Sequence, residues 1–164
     1  MGAVYSVTMQ NQTVIADSEL VIVHTAAAVT TRASIIRILR AWIGQTGSTT
    51  SQQLGVMLAL AASAFGTYTS TTPTPHAAGG AASGIAGGTA GAAATAGTDA
   101  SALGAGTKTP IIYDAFNIVN GYLWIPVPEE RIVVPLDTAL VLKLVGTPGT
   151  LTGWSAGITF EEMN

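Results

Sequence analysis

Two histidines are the residues of this chain with the most obvious catalytic chemistry. His24 ends an apolar run, and His76 opens a stretch rich in alanine and glycine. A Ser-His-Asp relay needs a histidine base that a carboxylate holds in place, and no GxSxG motif marks a nucleophile. We therefore predict structural roles for both histidines and no enzymatic activity.

Two pairs of adjacent carboxylates, Glu129-Glu130 and Glu161-Glu162, are the next candidates. Glycosidases place two carboxylates about 5–10 Å apart across a cleft. Neighbouring residues on a strand point to opposite faces, so neither pair meets this condition by itself. The chain has no cysteine and no DxDxDG-type calcium loop. We predict solvated loop ends and a polar C-terminus for these glutamates, and no cofactor or metal.

Charge is scarce, and this bears on the class of partner. Charged residues make up 9% of the chain, against about 25% in an ordinary soluble domain. The net charge is −3, and half of the six basic residues are Arg32, Arg37 and Arg40. Nucleic acid binding needs a broader basic face, so these arginines predict the polar face of one amphipathic element. A surface so poor in charge favours a subunit that is covered within an assembly.

No membrane or export segment is expected. The most apolar run, residues 54–65, is about half the length that a bilayer span needs. No basic region followed by a long apolar core is visible at the N-terminus, which indicates synthesis in a cytoplasm.

Short strands are predicted along most of the chain. Tyr5, Val7 and Met9 alternate with polar residues, which is typical of a half-buried strand. Residues 20–24 form a continuous apolar run, which favours a strand buried on both faces. Gly, Pro, Ser and Thr separate further candidates. The full set of predicted strands covers residues 5–10, 13–16, 20–24, 32–44, 53–61, 111–118, 122–125, 131–134, 139–145 and 151–160.

Residues 32–44 are ambiguous. Ile35, Ile36, Leu39, Trp42 and Ile43 form a helical stripe. The isoleucines and the tryptophan nevertheless favour a strand by propensity. We predict a strand here and keep the helix as the alternative. With period two, Ile36, Ile38 and Trp42 share one face, and these three join the predicted core. The remaining predicted core residues are Val56, Leu58, Phe116, Leu142, Leu144 and Phe160.

A low-complexity insert, at about residues 72–109, interrupts the pattern. Between His76 and Thr107, 22 of 32 residues are alanine or glycine. Such a segment lacks the bulk to form its own core, so we predict a flexible loop that contributes little to the isolated domain. Alanine and glycine let two backbones approach closely. We therefore expect intersubunit contacts at its glycines, namely Gly79, Gly80, Gly87, Gly88, Gly91 and Gly97.

The strand pattern predicts one all-β domain over residues 1–164, an antiparallel sandwich or jelly roll. Several segments resemble small virion proteins of tailed bacteriophages. They are Ala115-Phe116-Asn117, Gly121-Tyr122-Leu123-Trp124, residues 126–131 (PVPEER), residues 157–162 (GITFEE), residues 38–45 and Gln53-Leu54.

The resemblance implies a jelly-roll-like subunit on the capsid surface of a virion, a decoration or cement protein that is often trimeric. Its partners would be the major capsid protein or other virion subunits. The alternatives are a tail or head–tail junction protein, or a sandwich that binds host-surface carbohydrate. Exposed Trp42, Trp124 or Trp154 would favour the last, whereas strand-like positions predict core packing for all three.

Overall fold

The computed structural model of the chain describes residues 2–25, 35–62, 66–87, 95–102 and 104–163. Strands make up 55% of the structure, and one 3₁₀ turn, Pro128–Glu130, is the only helical element among the described residues. The predicted all-β fold is confirmed. Arg32 lies outside the described residues, but the adjoining residues Ile36–Gln45 form a strand rather than the alternative helix.

The strands form two sheets that pack face to face as an antiparallel sandwich. Sheet A has the order β10-β3-β13-β1-β6, with β11 also paired to β3. Its strands are β1 (Val4–Gln12), β3 (Ile36–Gln45), β6 (Thr74–Pro75), β10 (Tyr122–Trp124), β11 (Val133–Val134) and β13 (Trp154–Glu162). Sheet B has the order β5-β8-β2-β12-β4-β9, with β7 parallel to β8. Its strands are β2 (Glu19–His24), β4 (Gln53–Ala61), β5 (Thr67–Ser70), β7 (Ala86–Gly87), β8 (Thr95–Ala102), β9 (Lys108–Asn117) and β12 (Ala139–Val145).

Four strand pairs are nested along the chain. β1 pairs with β13, β2 with β12, β3 with β10, and β4 with β9. Every predicted strand range except residues 13–16 overlaps one of the observed strands. Within residues 13–16, Val14 is buried and its N–H donates to the carbonyl of Leu151. Val14 therefore contributes to the core although it is not part of a β-strand.

The core lies between the two sheets and follows the alternation of the sequence. Tyr5, Val7 and Met9 on β1 are buried, while the residues between them are more exposed. All six residues of β2 are buried, as predicted for a strand covered on both faces. Eight of the nine predicted core residues are buried, and the exception is Trp42.

Trp42 is half-buried on the outer face of sheet A because β3 contains a bulge. The register with β13 shifts between Ile38 and Arg40, leaving Leu39 without a partner in the ladder. One extra residue reverses which side chains point inward. Ile36 and Ile38 are therefore inside before the bulge, and Ala41 and Ile43 are inside after it. The prediction that Trp42 shares a face with Ile36 and Ile38 is wrong for this reason.

Part of the alanine- and glycine-rich insert is built into sheet B, which corrects the prediction of a loop outside the fold. β8 bonds to β2 on one side and to β5 on the other. Gly97 on β8 is buried, and a Cβ there would overlap the ring of Tyr68 on β5. Small residues thus fit this strand because an aromatic ring covers it. Ile85, from the same insert, is fully buried in the main core.

A buried ion pair anchors the end of the insert. Glu19 at the start of β2 is fully buried, and its Oε1 lies 2.7 Å from Nζ of Lys108 at the start of β9. The carboxylate also accepts hydrogen bonds from the backbone N–H groups of Gly66 and Gly104. Lys108 donates further bonds to two carbonyls, those of Gly104 and Gly106. The Glu19–Lys108 ion pair and its hydrogen bonds therefore link the start of β2, the residue before β5 and the connection from β8 to β9.

Candidate functional site

The two histidines lie in different sheets. His24 is buried at the end of β2, with Nε2 3.5 Å from a carboxylate oxygen of Asp137. His76 is exposed beside β1, and its Nε2 lies 2.7 Å from Oγ of Ser6. That serine also contacts the hydroxyl of Thr159 at 2.9 Å. Within the described residues no carboxylate bonds to the ring of His76, so this Ser-His contact lacks the group that orients a catalytic base.

The four candidate glutamates have three different environments. Glu129 and Glu130 are exposed on the 3₁₀ turn. Glu161 faces outward and lies 3.6 Å from Arg37. Glu162 faces inward and is buried, and its Oε1 accepts hydrogen bonds from the Ser83 hydroxyl and the Gly84 N–H. The expectation of a solvated Glu162 is therefore wrong, because residues 83–84 of the insert cover it.

No group of three or more His, Asp or Glu side chains that could hold a metal ion occurs in the described part of the chain. Nor does any of its helical segments have the length and apolar character needed to cross a bilayer.

The tryptophans have different roles. Trp154 is fully buried, and its Nε1 donates to the carbonyl of Thr150 at 2.8 Å. Trp124 is half-buried and packs against the main core. Core packing, predicted for all three tryptophans, is thus found at Trp154 and in part at Trp124.

The glycines expected at an intersubunit contact differ in their exposure and in their surroundings. Gly79 and Gly80 are exposed, and Gly79 has φ +72°, a turn conformation that glycine accommodates. Gly87 pairs with Ala96 through β7 and β8. Gly97 is covered by Tyr68 within the same chain, so we withdraw it as a contact residue. Gly88 and Gly91 lie outside the described residues, and their contacts, like those of Gly79, Gly80 and Gly87, stay a prediction.

Exposed apolar residues are concentrated in one part of the chain. Seven of the nine large apolar side chains that are exposed among the described residues lie between positions 111 and 133. All seven are exposed by 46–65% and lie on or beside β9, β10 and β11. Val119 and Leu123 line a groove, and we call the other five the edge surface. These five are Ile111, Tyr113, Ile125, Val127 and Val133.

The strands that carry the edge surface are the last strands of their sheets. β9 ends sheet B, and β10 and β11 pair with the free side of β3 in sheet A. A four-residue connection joins β9 to β10, and the rings of Phe116 and Tyr122 lie 5.9 Å apart across it. Burial, together with the nearby carboxylate of Asp114, raises the pKa of Tyr122. The two sheet edges therefore open on the same side of the molecule.

The middle of this part of the chain carries no charge, although Asp114, Glu129, Glu130 and Arg131 flank it. Residues 115–128 include no Asp, Glu, Lys or Arg. Exposed apolar side chains beside free strand edges are prone to pair with another chain. The sequence prediction placed the contact surface in the insert instead and missed this one. The available signal was the uncharged run itself.

No family model, curated protein or solved structure matches the chain.

Proposed function

We propose that this chain is a non-enzymatic structural protein of a phage virion, a decoration or cement subunit that binds the capsid shell as a homo-oligomer. The observation that carries the proposal is the edge surface, where apolar side chains lie exposed beside two free sheet edges. A protein whose work is packing against neighbours needs such a surface, and burying it would supply the association energy.

The strand order supports the jelly-roll part of the proposal. The nested pairs place β1, β13, β3 and β10 in one sheet and β2, β12, β4 and β9 in the other. An eight-stranded hairpin folded over on itself gives this order, with two interleaved Greek keys. Viral capsid proteins and lectins are among the proteins that use the architecture.

A second copy of the chain is the proposed occupant of the edge surface. The five side chains are uncharged, and the neighbouring run from 115 to 128 has no charge either. The charged residues that flank these positions are of both signs, Asp114, Glu129 and Glu130 against Arg131, so two copies can align with opposite charges facing each other, as a self-complementary contact requires. The resemblance to phage virion proteins favours a trimer. Once oligomerised, several weak contacts to the major capsid protein would add through multivalency.

Oligomerisation is tested with the double variant Tyr113→Lys/Ile125→Lys. Both side chains are more than half exposed in the monomer, so the fold should survive the substitutions. Light scattering coupled to gel filtration should give an oligomer for the wild type and a monomer for the variant. The control is Leu151→Lys, an exposed apolar residue outside the edge surface. A wild-type monomer, or a variant that associates as the wild type does, would refute this role.

Capsid binding is tested by quantitative mass spectrometry of purified particles. A decoration protein should be present in hundreds of copies per particle, and the edge-surface variant should show lower occupancy. If only a few copies per particle are found, the protein is instead a tail or head–tail junction protein. Absence from the particles would reject a structural role in the virion.

A further inference from the structure

A groove runs along the outer face of sheet A, between the second half of β3 and the residues that lead into β10. It encloses about 380 Å³, which is within the range of small-molecule sites. Arg40, Trp42 and Gly44 line it from β3, and Asn120 and Leu123 line its other wall.

Trp42 provides a flat apolar platform in this groove. The residue pairs with Gly157 of β13 on one side and Leu123 of β10 on the other. A Cβ at Gly157 would stand 2.5 Å from Nε1 of Trp42 and 2.8 Å from Cε2. The indole ring therefore lies over Gly157 on β13, where a Cβ would clash with it, and half-buried Trp42 lines the groove.

The space next to this platform is open. Gly44 follows Trp42 by two residues on the same face of β3, and a Cβ built on Gly44 meets no atom within 4 Å. Its backbone is outside the left-handed region, so the turn geometry of the strand does not require a glycine here. The absence of a side chain at Gly44 thus leaves room that a bound molecule could occupy.

Polar groups at both ends of the groove indicate what that molecule carries. Arg40 is exposed and forms no ion pair with any described residue, in contrast to Arg37 on the same strand, which contacts Glu161. The Asn120 side chain is also exposed and makes no hydrogen bond within the described part of the chain. No carboxylate lines the groove. A free guanidinium in such a place favours a ligand with a carboxylate.

We infer that this groove binds an acidic pyranose sugar. The apolar C–H face of the ring would lie on the indole of Trp42, whose π-face is electronegative. The carboxylate would pair with Arg40, and ring hydroxyls would bond to the amide of Asn120. The groove contains none of the five edge-surface residues but adjoins them, since its wall residue Leu123 lies on β10, two positions before Ile125.

Glucuronic acid and glucose are suitable probes, since they share a ring and differ in the carboxylate. The chain has three tryptophans, so a ¹⁵N-correlation spectrum contains three indole signals. Titration with glucuronic acid should move the Trp42 signal with a Kd of about 1 mM. The signal of buried Trp154 should stay fixed, and glucose should bind about tenfold more weakly.

Two variants assign the effect to the groove. Gly44→Ile fills the open space without a clash and suits a strand, so it should keep the thermal stability and abolish binding of both sugars. Arg40→Gln should weaken glucuronic acid about tenfold and leave glucose unchanged. The matched control, Arg37→Gln, should bind both sugars as the wild type does.

The inference is wrong if neither sugar shifts the Trp42 signal. It is also wrong if folded Gly44→Ile binds as well as the wild type, since the ligand would then lie elsewhere. Equal affinity of the wild type for the two sugars would reject the role of Arg40 and with it the acidic ligand class.

Discussion

Replacing Lys108 with methionine isolates the contribution of the buried ion pair to stability. The substitution keeps an apolar stem, with sulfur in place of Cδ, and removes the ammonium group together with its bonds to Glu19 and to the carbonyls of Gly104 and Gly106. Glu19 then stays fully buried, and its carboxylate keeps the two backbone N–H donors of Gly66 and Gly104 but loses its counter-ion.

The expected loss follows from the cost of an uncompensated buried charge. Removing one partner of a buried pair costs about 3–5 kcal/mol. For a domain of this size, each kcal/mol lowers Tm by about 2–4 °C, so Lys108→Met should melt about 6–20 °C below the wild type. Glu19→Gln added to Lys108→Met should recover much of this loss. No charge is then buried, and the amide oxygen still accepts a hydrogen bond from the backbone.

The measurement is thermal and urea unfolding followed by circular dichroism, with all proteins at one concentration because association affects Tm. The chain's other lysine supplies the control. Lys143 is half-buried on β12, directly opposite Glu19 in the ladder with β2, but forms no ion pair with the described residues. Lys143→Met should change Tm by only a few degrees. If Lys108→Met is no more destabilising than Lys143→Met, the pair does not stabilise the fold and the reasoning fails.

Two further predictions concern the insert. Ile85→Ala should lower the free energy of unfolding, measured in urea, by about 2–5 kcal/mol because Ile85 is fully buried. Ile35→Ala, the control at an exposed position, should lower it far less. Equal small losses for the two variants would place Ile85 outside the core. Burial raises the pKa of Asp99 above its ordinary value of 3.8. The folded state therefore binds the carboxyl proton more tightly than the unfolded state does. Above about pH 3.8 the ionised carboxylate consequently lowers the stability of the fold. Asparagine tolerates the φ of 55° at this position. Asp99→Asn should therefore raise the free energy of unfolding at neutral pH and leave it unchanged near about pH 3. A loss of stability at neutral pH would contradict this prediction.

Much of the sandwich could be predicted because its strands follow local rules. The alternation at Tyr5, Val7 and Met9 identified β1, and the unbroken apolar run identified β2 as a strand covered on both faces. These patterns depend only on residues within one strand, so they can be recognised without knowledge of the partner strands.

The failures all depend on partners far away in the chain. The bulge that turns Trp42 outward is a mismatch between β3 and β13, and nothing within β3 reveals it. The sequence of β8 does not by itself predict a strand, because its small residues fit only where the ring of Tyr68 covers Gly97. Glu19 and Lys108 are 89 positions apart, and no motif links them. The edge surface and the groove beside Trp42 likewise need the sheet order, which local patterns do not contain.

The position of β13 has a consequence for how the molecule is made. β13 lies between β1 and β3 and pairs with both, yet it follows every other strand of the described residues along the chain. Until it emerges from the ribosome, the two strands that will flank it have no strand between them, and sheet A cannot close. Such long-range pairing is slow, on the order of milliseconds to seconds. The central ladder of sheet A therefore stays open until β13 has been made, and the outer face that carries Trp42 is incomplete until then.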